Sequence, residues 1–125
     1  MTRRLLVVDD EDDTRIVATV ALRAVGKWDV LTASSGSEAI EIAARERPDA
    51  ILLDVMMPSM DGPATVIRLR ANEATKATPV ILLTAKQQAS DRKRFETYDV
   101  AGIIAKPFDP MTLASEVSRI LGWDR

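Results

Sequence analysis

The sequence predicts a doubly wound α/β domain, a five-stranded parallel sheet with helices on both faces. Two observations predict it. Short apolar runs and amphipathic stretches alternate five times along the chain, the arrangement of strands joined by crossover helices. The runs themselves are continuously apolar, as strands buried on both faces are, and do not alternate in the manner of half-exposed strands.

Leu5-Leu6-Val7-Val8 is the first strand, ended by Asp9-Asp10. Glu11 to Val25 reads as a helix, with an acidic first turn, apolar residues at Ile16, Val17, Val20, Ala21 and Ala24, and Gly26 as its stop. Trp28 to Ala33 is the second strand, and Ser35 or Ser37 can cap a helix running to about Arg47 with Ala39, Ile40 and Ala43 inward. Pro48-Asp49 breaks that helix, and Ala50-Ile51-Leu52-Leu53 forms a third strand that stops at Asp54. Pro58 to Gly62 is turn chemistry. Pro63 suits the first turn of a helix that reaches about Ala71 through Val66, Ile67 and Leu69. Val80 to Leu83 is the fourth strand, ended by Thr84, and a polar helix is expected from Gln87 to Tyr98. Ala101 to Ala105 is the fifth strand, ended by Lys106-Pro107-Phe108. Asp109-Pro110 caps and opens a last helix with Leu113, Val117, Ile120 and Leu121 inward and Gly122 as its stop.

The 125 residues make one domain's worth of chain, 46% apolar and 29% charged, with a net charge of -2. That balance argues against nucleic acid or an anionic membrane as partner. No cysteine is present, which removes disulfides, thiolate metal sites and cysteine nucleophiles. No histidine is present either, so acid–base or transfer chemistry falls to carboxylates, lysine or hydroxyls. The four apolar residues before Asp9 are too few for a signal-peptide core or a membrane span, and a cytoplasmic location is expected. There is no G-x-G-x-x-G. Gly26-Lys27 lacks the glycine and the Ser or Thr of a P-loop, having Ala21 and Trp28 there.

Asp9-Asp10, Asp54, Thr84 and Lys106 each fall directly after a predicted strand. In a parallel sheet those ends line one edge, where ligands of open α/β folds bind. Taken singly, each has an ordinary structural explanation as a cap, a strand residue or a solvated lysine. Together they make a site. Three clustered carboxylates repel, and a hard divalent cation such as Mg²⁺ is the natural remedy, taking carboxylates, waters and phosphate oxygens. Metal and lysine charges suit phosphoryl transfer, with a carboxylate as nucleophile.

The sequence resembles the receiver domains of two-component response regulators, the CheY-like family. The matching pieces are Leu6-Val7-Val8-Asp9-Asp10-Glu11, Leu53 to Pro58 with Asp61-Gly62, Leu83-Thr84-Ala85, and Lys106-Pro107-Phe108, spread over essentially the whole chain. The resemblance implies a flavodoxin-like (βα)5 sheet of strand order 2-1-3-4-5, and residues 1–125 as a single receiver domain with no output domain. Asp54 would be the phospho-acceptor and a metal ligand. Asp10 would bind Mg²⁺ (or Mn²⁺) directly, Asp9 through water, and Met56 through its backbone carbonyl. Thr84, the backbone N–H of Ala85, and Lys106 would hold the phosphoryl oxygens, and Lys106-Pro107 would be a cis peptide. The donor would be a histidine kinase or a histidine phosphotransfer protein. Output to a downstream protein would run through the face of the fourth helix, fifth strand and fifth helix. The chain would be a signalling phospho-acceptor and not an enzyme, at most promoting its own phosphorylation and dephosphorylation, as a monomer or weak dimer. One departure stands out: Ile103 occupies the fifth-strand position where the family's switch uses an aromatic residue.

Two alternatives stand beside this. Asp10-Glu11-Asp12-Asp13-Thr14 fits the D-x-D-x-T signature of haloacid-dehalogenase-like Mg²⁺-dependent phosphatases, with Asp10 as nucleophile. Against it, Asp9 directly follows the apolar run, Arg15 stands where an apolar residue belongs, and the chain is short for that fold. A phosphorylation-independent pseudo-receiver is the other, yet such domains usually lose members of the acidic set, and none is lost here.

Overall fold

The computed structural model describes residues 2–85 and 98–123. The five apolar runs become β1 (Arg4–Val8), β2 (Asp29–Ala33), β3 (Ala50–Asp54), β4 (Val80–Ala85) and β5 (Gly102–Lys106). The helices described are α1 (Asp12–Ala24), α2 (Gly36–Glu46), α3 (Gly62–Arg70) and α4 (Leu113–Leu121), the last being the final helix the sequence predicts. The helix expected from Gln87 lies outside the described residues except for Tyr98, which sits in a bend.

All strand pairs are parallel, in the order β2-β1-β3-β4-β5. The chain starts at β1, runs outward to β2, and crosses back over β1 to β3. Their carboxyl ends therefore flank the crevice where such sheets bind ligands. Register aligns the polar strand ends: Val8 pairs with Leu53, Asp54 with Leu83, Thr84 with Ala105 and Ala85 with Lys106.

Because successive side chains of a strand point to opposite faces, each apolar run feeds two cores. Leu5, Val7, Leu52, Ile81, Leu83 and Ile104 pack under α1 and α4, against Ala18, Ala21, Leu22, Leu113 and Val117. Leu6, Val8, Ile51, Leu53 and Leu82 pack under α2 and α3, against Ala39, Ala43, Val66 and Leu69. Each fully buried Leu or Ile contributes about 1.5–3 kcal/mol relative to exposure, so the two layers dominate the stabilisation.

Local chemistry sets the helix ends. The Ser35 hydroxyl accepts from the Glu38 N–H at 3.1 Å, which selects Ser35 over Ser37 as the cap of α2. Arg47 closes that helix in the left-handed region (φ 48°), and Pro48 follows. The Asp61 carboxylate accepts from the Ala64 N–H at 2.9 Å, with Pro63 in the first turn of α3.

One expectation needs correction. The last helix opens at Leu113, not at Pro110. Asp109 instead folds the intervening residues into a turn, its carboxylate accepting from Met111 and its carbonyl from Thr112 and Leu113. In α1 the sheet-facing residues are Ala18, Ala21 and Leu22, while Ile16, Val17 and Val20 point outward. The small alanines let the helix sit close to the sheet. Ile40 of α2 is half-buried and Ile67 of α3 is exposed for the same reason of phase.

Gly62 ties this scaffold to the Asp54 strand. Its N–H donates to the Val55 carbonyl at 2.9 Å, and a Cβ there would meet the Asp54 carbonyl oxygen at 2.8 Å and the Val55 Cα at 2.9 Å. Both neighbours are backbone and cannot swing away. Gly62→Ala is expected to destabilise by about 1–3 kcal/mol in urea unfolding. An unchanged midpoint would show that the β3–α3 connection yields more easily than this packing implies.

Candidate functional site

The polar strand ends do converge. Asp9 follows β1, fully buried, with its backbone N–H donating to Ala33 of β2 at 3.1 Å. Asp54 closes β3 at 3% exposure. Lys106 closes β5, and its ammonium lies 3.1 Å from both Asp9 Oδ2 and Asp54 Oδ1. Asp10 is exposed at the rim. Thr84 is buried at the end of β4, beside Ala85. A cavity of about 290 Å³ opens above, lined by Asp10, Glu11, Asp54, Met56, Ala85 and Lys106. The Lys106-Pro107 peptide is cis.

Two supporting residues are not visible in the sequence pattern. Glu11 places a further carboxylate oxygen 3.6 Å from the Lys106 ammonium, and its N–H donates to Asp9 Oδ1 at 2.9 Å. Arg15, out of pattern as an apolar position, donates to the Asp9 carbonyl at 2.7 Å and pairs with Asp12 at 2.5 Å. A polar residue one turn into α1 was the available signal. Its direction depended on how the helix meets the sheet. Met56 is exposed, and its backbone N–H favours the ionised form of the Asp54 carboxyl. Ile103 is half-buried and packs, with Tyr98 and Val100, on the core beneath α2 and α3.

The charges at this edge are not balanced. Burial first, then the neighbouring Asp9 charge, drives the Asp54 carboxyl up to about 6, against the pull of Lys106 and the Met56 N–H. Burial draws the Lys106 ammonium down, but Asp54 and Asp9 outweigh it and hold its pKa above the ordinary lysine value. Among the described residues, the Lys106 ammonium pairs with three carboxylates, those of Asp9, Glu11 and Asp54. Asp9, Asp10 and Asp54 can bring carboxylate oxygens within 4.8 Å of one another, a set of hard donors that fits a hard divalent cation.

A family model described as the response regulator receiver domain matches residues 5–118. The chain belongs to that family. It is 36% identical over 121 residues to the alkaline phosphatase synthesis transcriptional regulatory protein PhoP of Bacillus subtilis, covering 97% of this chain and 49% of that protein. The chain spans about half the length of the first curated relatives it matches. A putative response regulator from Chloroflexus aurantiacus superposes with a TM-score of 0.88 at 34% identity, covering 98% of this chain and 99% of that one. The receiver domain of the sensor histidine kinase PA1611 from Pseudomonas aeruginosa, solved with a magnesium ion in its active-site cleft, superposes with a TM-score of 0.84 at 31% identity, covering 98% and 99%. Receiver domains are signalling modules that bind Mg²⁺ at an acidic site, and this receiver carries such a cluster in Asp9, Asp10 and Asp54.

The raised Asp54 pKa carries a sign that can be measured. In the folded receiver its carboxyl is about 6, against an ordinary value of 3.8. The folded state therefore holds the proton more tightly, and this contribution to stability is lost as pH rises through that window. With a chelator present, the urea midpoint is expected to fall between about pH 4 and about pH 7, and Asp54→Asn to flatten the slope. At neutral pH the Asn variant should be the more stable, by up to about 3 kcal/mol. Parallel profiles for the two proteins would show that Asp54 is not the group responsible.

Proposed function

We propose that this receiver is a phosphorylation-operated switch in which Asp54 accepts a phosphoryl group from a phosphohistidine of a histidine kinase or phosphotransfer protein. The observation that supports it best is the single Lys106 ammonium shared by two buried carboxylates at the mouth of the sheet. A carboxyl titrating near 6 is mostly ionised at pH 7 and can act as nucleophile. An oxygen of Asp54 attacks phosphorus, the P–N bond to the donor imidazole breaks, and its electron pair stays on the departing nitrogen. Lys106 then shifts onto a phosphoryl oxygen, with the Thr84 hydroxyl and the Ala85 N–H as further donors. Asp9, Asp10, Asp54 and the Met56 carbonyl would hold Mg²⁺ or Mn²⁺, whose charge supplies neutralisation of the phosphoryl oxygens.

The new charge on Asp54 biases the packing around Thr84 and the fifth strand. Ile103 has no aromatic ring to swing, so the response there is a repacking against the core that also holds Tyr98 and Val100. Signalling to a protein target then uses the side of the domain that carries β5 and α4, together with the helix the sequence predicts over 87–98, which lies outside the described residues except for Tyr98. A cytoplasmic site of action goes with this reading. Among the described residues no helix is long and apolar enough to cross a membrane.

Saturating Mg²⁺ should raise the melting temperature, since ligand at about one hundred times its Kd adds about 2.7 kcal/mol, and Asp54→Asn should lose most of that gain. A wild-type melt insensitive to Mg²⁺ would remove the metal from the proposal. Incubation with acetyl phosphate or a phosphorylated donor should label the wild type and leave Asp54→Ala unlabelled, as peptide mass mapping can show. A covalent adduct mapped to Asp10 would overturn the assignment in favour of a phosphatase-like nucleophile.

A further inference from the structure

The turn after Asp54 and the residues that enter β5 are joined by a second route, along α3. At its start the Gly62 N–H donates to the Val55 carbonyl at 2.9 Å and the Asp61 carboxylate caps the first turn. Thr65, Val66 and Leu69 bury one face of the helix. Its last residue, Arg70, reaches across to Asp99. Arg70 Nη2 and Nε donate to the Asp99 carbonyl at 2.9 and 3.3 Å, and Nη1 donates to the Thr75 carbonyl at 3.3 Å. The Asp99 carboxylate lies 3.1 Å from Nε.

An exposed ion pair alone would contribute little. Arg70 differs from that case, because its side chain is only 19% exposed and its hydrogen bonds end on backbone carbonyls. Both receiving segments are themselves fixed. The buried Thr75 hydroxyl donates to the Leu69 carbonyl at 2.7 Å, which holds the turn against the end of α3. Beyond Asp99, the Ala101 N–H donates to the Val80 carbonyl of β4 at 2.7 Å. From there β5 runs to Lys106, whose ammonium lies 3.1 Å from Asp54 Oδ1. The contacts close a ring: Asp54, α3, Arg70, Asp99, β5, Lys106 and back to Asp54.

We propose that Arg70 is a tether that carries the state of Asp54 along α3 to residues 98–101, by a route separate from the repacking at Ile103. The proposal rests on Asp54 being the phospho-acceptor. A phosphoryl group there crowds the turn that joins Val55 to Gly62, where backbone atoms already approach so closely that no Cβ fits. Val66 and Leu69 seat α3 in the core, so the helix answers as a body, and rigid elements with packed side chains are what carry coupling between sites. The planar guanidinium holds two carbonyls and a carboxylate at once, which a single ammonium would not. While Lys106 leaves Asp54 for the phosphoryl group, Arg70 keeps the other end of β5 tied to α3.

Tyr98 is the chain's one tyrosine and directly precedes Asp99, so biosynthetic fluorotyrosine gives a single fluorine NMR reporter beside the tether. Beryllofluoride with Mg²⁺, a stable stand-in for the phosphoryl group, carries fluorine of its own. One spectrum of the full chain therefore reports the adduct and the tether together. The Tyr98 resonance should shift when the adduct forms. Arg70→Ala and Arg70→Gln should each bind beryllofluoride and lose most of that shift, with thermal melts confirming that the variants are folded. A bound beryllofluoride signal without a Tyr98 shift in the wild type overturns the tether alone. So does a shift that persists in a folded Arg70 variant, because Ile103 then carries the response. A wild type that shows no bound beryllofluoride overturns Asp54 as the acceptor, and the tether with it.

Discussion

Two carboxylates that are almost wholly buried share one ammonium group, and the geometry of the sheet edge is built around that pairing. Lys106 starts on an edge strand, and its stem carries the charge past β4 to Asp54 at the end of β3 and Asp9 after β1. Ala85, its partner in the ladder, is small and leaves the space open. Removing one partner from a buried ion pair typically costs about 3–5 kcal/mol, because a charge is left without compensation. Here Asp54 keeps a raised pKa even beside Lys106, because burial first and the Asp9 charge second outweigh the ammonium. The cluster of Asp9, Asp10 and Asp54 offers the hard oxygen donors that a divalent cation takes.

The scaffold keeps that imbalance from relaxing. β1 and β3 are central strands whose side chains are buried on both faces, so neither carboxylate can move to water without disturbing two cores. The connection after Asp54 is equally constrained. Val55 donates to the Leu83 carbonyl and accepts from Gly62, and Asp61 caps the helix that follows. Ser59 adopts a positive φ of 69° in that turn, a conformation few residues other than glycine and asparagine adopt readily. Strain of this kind persists where the surroundings over-determine the backbone. Fold stability and site geometry are thus the same set of contacts seen from two ends of the strands.

Much of this is legible in the sequence alone, and the reasons differ by residue. Each apolar run is short, continuous and ended by a polar residue, which marks strands and their carboxyl ends. The motif pieces around Asp9, Asp54, Thr84 and Lys106 then pointed to receiver domains, and the family match agrees with them. The α1 helix was harder. Apolar residues cover most of its circumference, so periodicity indicated a helix without saying which side meets the sheet. The alanines took the inner face and Ile16, Val17 and Val20 the outer one. Glu11 and Arg15 were opaque for a related reason, since their partners are far along the chain or on a backbone atom that no pattern of side chains reports.

The sequence by itself determined the alternation of strands and helices, the polar residue that ends each strand, and the absence of cysteine and histidine. These are properties of composition and order along the chain, and they narrowed the chemistry to carboxylates, hydroxyls and lysine. Tertiary structure decided which of the adjacent acids is buried and which lies at the rim, that Asp9 and Asp54 divide one ammonium between them, and which face of α1 is left to solvent. Desolvation and charge–charge distance are properties of three-dimensional position, and they set the ionisation of Asp54 in a way that spacing along the chain cannot.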